Sequence, residues 1–250
     1  MGRLKKIVVI GGTGLIGSKA VKLLREAGHE AIVASSRNGI NAYTGQGLPE
    51  ALSNADAVID VSNMMSFEKD VITDFFAISS RNLTTVEQSA GVPHHVALSI
   101  VNADSLATNP YMAGKLAQEA AVVASGQAYT IVRATQFHEF METLASVYSA
   151  GDTVKVPDID FQPIAAADVA AALVEVALGQ PKNGTVDLAG PERESFESFI
   201  RAYLDAEGDA RPTSADATVD YFGAPVVTST LVPAGDYIKG RIRFGDWLRS

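Results

Sequence analysis

Tyr111 and Lys115 stand four residues apart in the pentad Tyr111-Met112-Ala113-Gly114-Lys115. In a helix this spacing puts a phenol and an ammonium on one face, one turn apart. A phenol of ordinary pKa, near ~10, is a poor acid–base group at neutral pH, and a nearby ammonium stabilises the phenolate and lowers that value. Tyr111 can then give a proton to a carbonyl oxygen as hydride arrives at carbon. Ser99, at the end of the apolar run before this helix, can hydrogen-bond the same oxygen. A solvated helix face shows the same Y-x-x-x-K spacing, so the weight of the motif depends on its context.

That context is a glycine-rich turn, Gly11-Gly12-Thr13-Gly14-Leu15-Ile16-Gly17, directly after the apolar run Ile7-Val8-Val9-Ile10. A turn that leaves a buried strand and opens a helix presents free backbone N–H groups at the positive end of the helix dipole. Gly11 allows the tight turn, Gly14 lets a pyrophosphate approach the backbone, and Gly17 lets helix and strand pack closely. Thr13, Leu15 and Ile16 supply the amides between them. The end of the second strand, Ala34-Ser35-Ser36-Arg37, carries two hydroxyls and a guanidinium where a carboxylate would select NAD. Those groups suit a ribose 2′-phosphate, so the expected cofactor is NADP(H). Ser62, after a later strand, is expected to line the same cofactor.

Other polar residues carry less. His94 and His95 precede a strand and read as structural or solvated. Thr135, Gln136, Phe137 and His138 form a loop leaving the sheet edge and are the candidate substrate-binding set, although Phe137 and Phe140 also fit plain packing around His138. Two adjacent histidines without a third, and no H-E-x-x-H, make no metal site. Asp158 and Asp160 read as turn residues. The hydrolase elbow Gly-x-Ser-x-Gly is absent.

The elements that must position these groups alternate. Apolar runs at residues 7–10, 31–34, 57–61, 96–99 and 129–132 read as strands, with a short further strand at 40–43. Helical patterns at 15–27, 71–90 and from 111 onward lie between them. This alternation predicts an α/β fold, a Rossmann-type doubly wound parallel sheet. Beyond residue 150 prolines punctuate shorter elements, with clear helices at 167–178 and 195–206 and a mostly irregular stretch over 211–240. The expected organisation is one NAD(P)-binding domain over 1–250: a dinucleotide-binding core over about 1–150 and a small C-terminal substrate lobe over about 151–250.

With 250 residues the chain can bury a sizeable core. A net charge of −9 with no Lys/Arg run argues against nucleic acid and anionic membrane surfaces as partners. The lack of cysteine removes disulfides and thiol nucleophiles, and no segment reaches the ~18 apolar residues of a membrane span. The expectation is a cytoplasmic protein.

The glycine turn, the Ser-Ser-Arg after the second strand, Asp56-Ala57-Val58-Ile59-Asp60, the Ser99–Tyr111–Lys115 set, Tyr129-Thr130-Ile131-Val132-Arg133, Gln162-Pro163-Ile164 and Asp168-Val169-Ala170 together resemble the short-chain dehydrogenase/reductase superfamily, in its atypical, NmrA-like branch. The resemblance covers most of the chain. It implies NADP(H) along the C-terminal sheet edge, with Gly11, Gly14, Gly17 and Arg37 as cofactor ligands. It also implies Ser99, Tyr111 and Lys115 as the catalytic set, with Lys115 holding the nicotinamide ribose as well. It implies further that Asn63, after the fourth strand, lines the cofactor; the usual Asn-Ala-Gly signature is missing there, so Asn63 is given no catalytic role. The implied activity is NADPH-dependent reduction of a small ketone, aldehyde or quinone; the alternative within the branch is a non-catalytic NADP-binding redox sensor. A homodimer is implied through the helix bearing Tyr111 and the one before the preceding strand.

Overall fold

Ile7, Val8, Val9 and Ile10 are buried on alternate sides, the condition of a strand covered by helices on both faces. In the computed structural model, which describes residues 3–64, 66 and 68–250, they belong to β1 (Lys6–Ile10). The chain continues through α1 (Leu15–Glu26), β2 (Glu30–Ala34), α2 (Leu48–Leu52), β3 (Ala57–Asp60), α3 (Lys69–Ala90), β4 (His95–Ile100), α4 (Pro110–Ala124) and β5 (Tyr129–Ala134). It then runs through α5 (Met141–Val147), β6 (Ser149–Ala150), β7 (Thr153–Pro157), β8 (Asp160–Phe161), α6 (Ala166–Leu178) and β9 (Gly184–Ala189). The last elements are β10 (Glu194–Ser195), α7 (Phe196–Ala206), β11 (Thr213–Asp216), β12 (Tyr237–Lys239) and α8 (Phe244–Trp247).

The central sheet has seven strands in the order β12-β9-β5-β4-β3-β1-β2, and its pairings are parallel. The strand order reverses between β1 and β3, which lie on either side of the switch point where open α/β sheets leave a crevice at their C-terminal edge. Ile16, Ala20 and Leu24 of α1 and Val169, Ala170 and Leu173 of α6 cover one face against Ile7, Val9, Ile59 and Val132. On the other face Leu48 and Leu52 of α2 and Leu83 of α3 pack on Val8, Ile10 and Val58, and Val122 of α4 packs on Ala97 and Ile131.

Two expectations change. Residues 40–43 form a turn and not a strand, because the Asn41 side chain accepts the N–H groups of Tyr43 and Thr44 and closes the backbone on itself. The line near residue 150 does not divide sheet from lobe: α6, β9 and β12 return to the main sheet. Even the irregular stretch contributes, through β12 on the edge beside β9. The separate core of the C-terminal part centres on Phe161, Phe196, Phe199, Tyr221 and Phe244 and reaches Met112 of α4. Phe161 and Phe196 stack with centroids 4.4 Å apart; each buried ring stabilises the fold by about 1.5–3 kcal/mol.

Candidate active site

The glycine turn is shaped by close approach. Gly11 has φ +74°, and a Cβ there would meet the Val61 carbonyl oxygen at 2.7 Å and the Ser62 nitrogen at 3.1 Å. A Cβ on Gly17 would run into the Gly11 carbonyl, so the third glycine is what lets α1 start this close to β1. Gly14 is different: a Cβ there would touch only the Gly11 oxygen at 3.3 Å, and its other side is open. No side chain caps α1 at Gly14, and the first helical bond runs from the Ser18 N–H to Gly14. The first-turn N–H groups therefore face the open side, the cradle a pyrophosphate fills.

At the end of β2, Ser35 donates its hydroxyl to Asn38 Oδ1 at 2.5 Å, and a short 3-10 turn over Ser36–Asn38 leaves Arg37 exposed. Across the turn, the Ser62 hydroxyl is buried without a protein partner among the described residues. An orphaned hydroxyl beside an open cradle fits a dinucleotide, and the set of residues is compatible with that cofactor.

Pro110 at the first helical position and Asn109 as N-cap start α4; the Asn109 Oδ1 accepts the N–H groups of Tyr111 and Met112. Tyr111 lies in that first turn, and its hydroxyl donates to Asn63 Oδ1 at 2.9 Å. The phenol thus reaches the loop that packs on the glycine turn. Gly114 lets α3 close in, since a Cβ there would collide with Ile72 and lie 2.8 Å from Phe76. The Phe76 ring meets Tyr111 edge-on at 5.9 Å and carries the Lys115 ammonium over its face at 4.6 Å.

Lys115 does not bond to Tyr111. Its buried ammonium donates to Gln118 Oε1, Gln118 Nε2 donates to Asp60 Oδ2 at 2.8 Å, and Asp60 Oδ1 accepts the Ser62 N–H at 2.9 Å. Burial lowers the Lys115 pKa to about 8 against the raising effect of Asp60 and Glu119. The expected depression of the Tyr111 pKa is absent: burial pushes it up to about 12. The physical reason is the direction of the lysine side chain, which is drawn toward the sheet by the Gln118–Asp60 pair.

Ser99 lies one residue before the end of β4, on the side of Ala97 that faces α4. Its hydroxyl is buried and unpartnered among the described residues, and no hydrogen bond joins it to Tyr111. In the 135–138 loop, the Thr135 hydroxyl donates to the Gln162 carbonyl at 2.6 Å and Phe137 stacks on Phe140 at 5.8 Å. His138 Nε2 is 3.0 Å from the Pro163 carbonyl oxygen, and its ring sits against Phe244 and Trp247. Thr135 and His138 thus tie this loop to the C-terminal part, while Phe137 packs against the sheet core. The Gln136 amide lies against the buried Tyr221 hydroxyl of the C-terminal core. His94 pairs with Thr130 at 2.9 Å and His95 with Glu87 at 2.8 Å, both inside the fold.

Sequence reasoning missed Gln118. Its signal was the i, i+3 step from Lys115 on one helix face. The buried carboxylate of Asp60 showed only as an acid ending the apolar run Ala57-Val58-Ile59.

A family model described as NAD(P)H-binding matches residues 11–179. The chain belongs to this NAD(P)H-binding family. Among curated relatives, the photosystem II assembly factor Ycf39 of Synechocystis sp. is 28% identical over 173 residues, covering 64% of this chain and 50% of that protein. The 4-hydroxy-tetrahydrodipicolinate reductase of Natronomonas pharaonis is 26% identical over 160 residues, covering 62% of this chain and 54% of that one. The chain spans about half the length of the curated relatives it matches. Among solved structures, a short-chain dehydrogenase/reductase superfamily protein from Agrobacterium tumefaciens with bound NAD superposes with a TM-score of 0.71 at 18% identity, covering 98% of this chain and 95% of that one. The dTDP-4-dehydrorhamnose reductase of Bacillus anthracis in complex with NADP gives 0.70 at 15% identity, covering 96% and 91%. These superpositions show the fold, a Rossmann-like NAD(P)-binding α/β fold of the kind the motifs suggested. Of these two superposed structures, one holds NAD and the other NADP. Among the described residues no helix is long and apolar enough to cross a membrane.

Proposed function

We propose that the chain is an NADPH-dependent oxidoreductase that reduces the carbonyl of a small ketone, aldehyde or quinone, with Tyr111 as proton donor. The observation that carries this reading is the hydrogen bond from the Tyr111 phenol to Asn63, which holds an acidic hydrogen at the mouth of the dinucleotide turn. The bound nicotinamide would supply hydride to the carbonyl carbon. With a ketone or aldehyde the carbonyl oxygen then becomes an alkoxide, which is more basic than a phenolate even when the phenol has a pKa of about 12. Proton transfer from Tyr111 to that oxygen is therefore downhill. The Ser99 hydroxyl is a second donor for the same oxygen. Lys115 adds positive charge beneath the phenol and is the residue the family uses toward the nicotinamide ribose. The Ser35-Ser36-Arg37 sequence, free of carboxylates, supports NADP(H) over NAD(H).

The test follows NADPH oxidation against ketones, aldehydes and quinones with wild type and Tyr111→Phe side by side. The variant should lose about 10²–10⁴-fold in kcat while NADPH binding is kept; undiminished turnover removes Tyr111 from the mechanism. A second reading is a non-catalytic NADP-binding regulator. It is favoured by the Lys115 ammonium turning away from Tyr111 and by the assembly-factor name of one relative. Tight NADPH binding with no turnover by wild type would select it.

A further inference from the structure

The buried polar chain beneath Tyr111 has a direction imposed by its end groups. An ammonium can only donate, an ionised carboxylate can only accept, and the residue between them must accept on one side and donate on the other. Gln118 is such a residue. It takes the Lys115 proton on Oε1 and gives an N–H to Asp60 at 2.8 Å, with all three side chains buried. The other Asp60 oxygen accepts the Ser62 N–H at 2.9 Å. Ser62 in turn lies against Gly11, where even a methyl group would not fit. The chain of contacts thus begins at the lysine one helical turn from Tyr111 and ends at the backbone of the dinucleotide turn.

We infer that Gln118 and Asp60 are positioning residues for Lys115, fixing the place and the charge of its ammonium and tying both to the phosphate-binding turn. The assignment of a role in reduction rests on the proposed function above; the relay itself does not. The groups around the ammonium come from every packed element: Asp60 from β3, Gln118 and Glu119 from α4, and the Phe76 ring from α3. From β4, His95 stands in the field of Asp60 and is paired with Glu87 of α3. Without Asp60 the buried ammonium would face one nearby carboxylate fewer, and desolvation would act on it with less opposition.

The deciding experiment is a pH titration of the full chain carrying lysine labelled at Cε, with Lys115→Arg to assign its signal. Wild-type Lys115 is expected to titrate near pH 8. In Asp60→Asn the midpoint should fall by about one unit or more. It should fall in Gln118→Leu as well, and rise in Gln118→Glu, which keeps the acceptor. Gln118→Leu serves should Asp60→Asn not fold. A wild-type midpoint in the folded Gln118→Leu and Asp60→Asn proteins overturns the inference. In turnover, the alkaline limb of kcat/KM should move with the midpoint, and a limb that stays put removes the catalytic role. A wild type that turns over nothing defeats the reductase reading, while the titration still decides the relay.

Discussion

Arg37 is exposed at the end of β2, beside the Ser35 hydroxyl and without a carboxylate in the Ser35-Ser36-Arg37 run. A guanidinium there can make charge-assisted bonds to a 2′-phosphate that NADH does not have. Such bonds are worth about 1.5–3 kcal/mol, so Arg37→Ala should weaken NADPH binding by about 10–100-fold and leave NADH binding unchanged. Titration calorimetry with both cofactors checks this, and equal losses for the two would place Arg37 elsewhere. At this scale the sequence told which residue types were present and little of where they pointed. Lys115 could be placed on the Tyr111 face of a helix from spacing alone, but its long side chain has room to turn either way, and Gln118 with Asp60 turned it inward.

The pairing of α3 with α4 sets the height of Tyr111 over the sheet edge. Gly114 is its contact point, where a side chain would meet Ile72 and Phe76. Gly114→Val should therefore cost about 1–3 kcal/mol by overpacking, read as a lower urea midpoint. An unchanged midpoint would mean the two helices separate freely. Most elements were legible because their apolar residues repeat with the helical or strand period: α1, α3 and α6 each start within two residues of the expected place. β12 was not, because three exposed residues carry no period and pair with β9 only through backbone hydrogen bonds. The supposed strand at 40–43 failed for the opposite reason, a local Asn41 side-chain turn outcompeting a weak apolar run.

Across the whole molecule, burial of neutral imidazoles makes stability depend on pH. His94 and His138 have pKa values lowered to about 4 by burial, against 6.5 when unfolded. Below pH 6.5 the unfolded chain binds protons that the folded one refuses, so stability falls as pH drops from 6.5 toward 4, by up to about 1.4 kcal/mol per unit for each histidine. His95, raised because Glu87 and Asp60 outweigh its burial, acts in the opposite sense: its contribution is full below 6.5 and lost as pH rises through its folded value. Thermal unfolding between pH 7 and 5 should show the net acid loss, with a shallower slope in His138→Gln. The same slope in both proteins would show that His138 is protonated in the fold.

The sequence by itself determined the parallel α/β plan, the phosphate cradle and the pairing of phenol and ammonium on one helix. Those follow from local rules, since periodicity, glycine sterics and helical spacing act over a few residues. Only the tertiary structure decided that α6, β9 and β12 complete the sheet, that Thr135 and His138 serve the junction with the lobe, and that Lys115 is held from below. Each of those depends on contacts between residues far apart in the chain, as with Asp60 and Gln118, which are 58 positions apart, and burial in the assembled fold is what gives such pairs their strength.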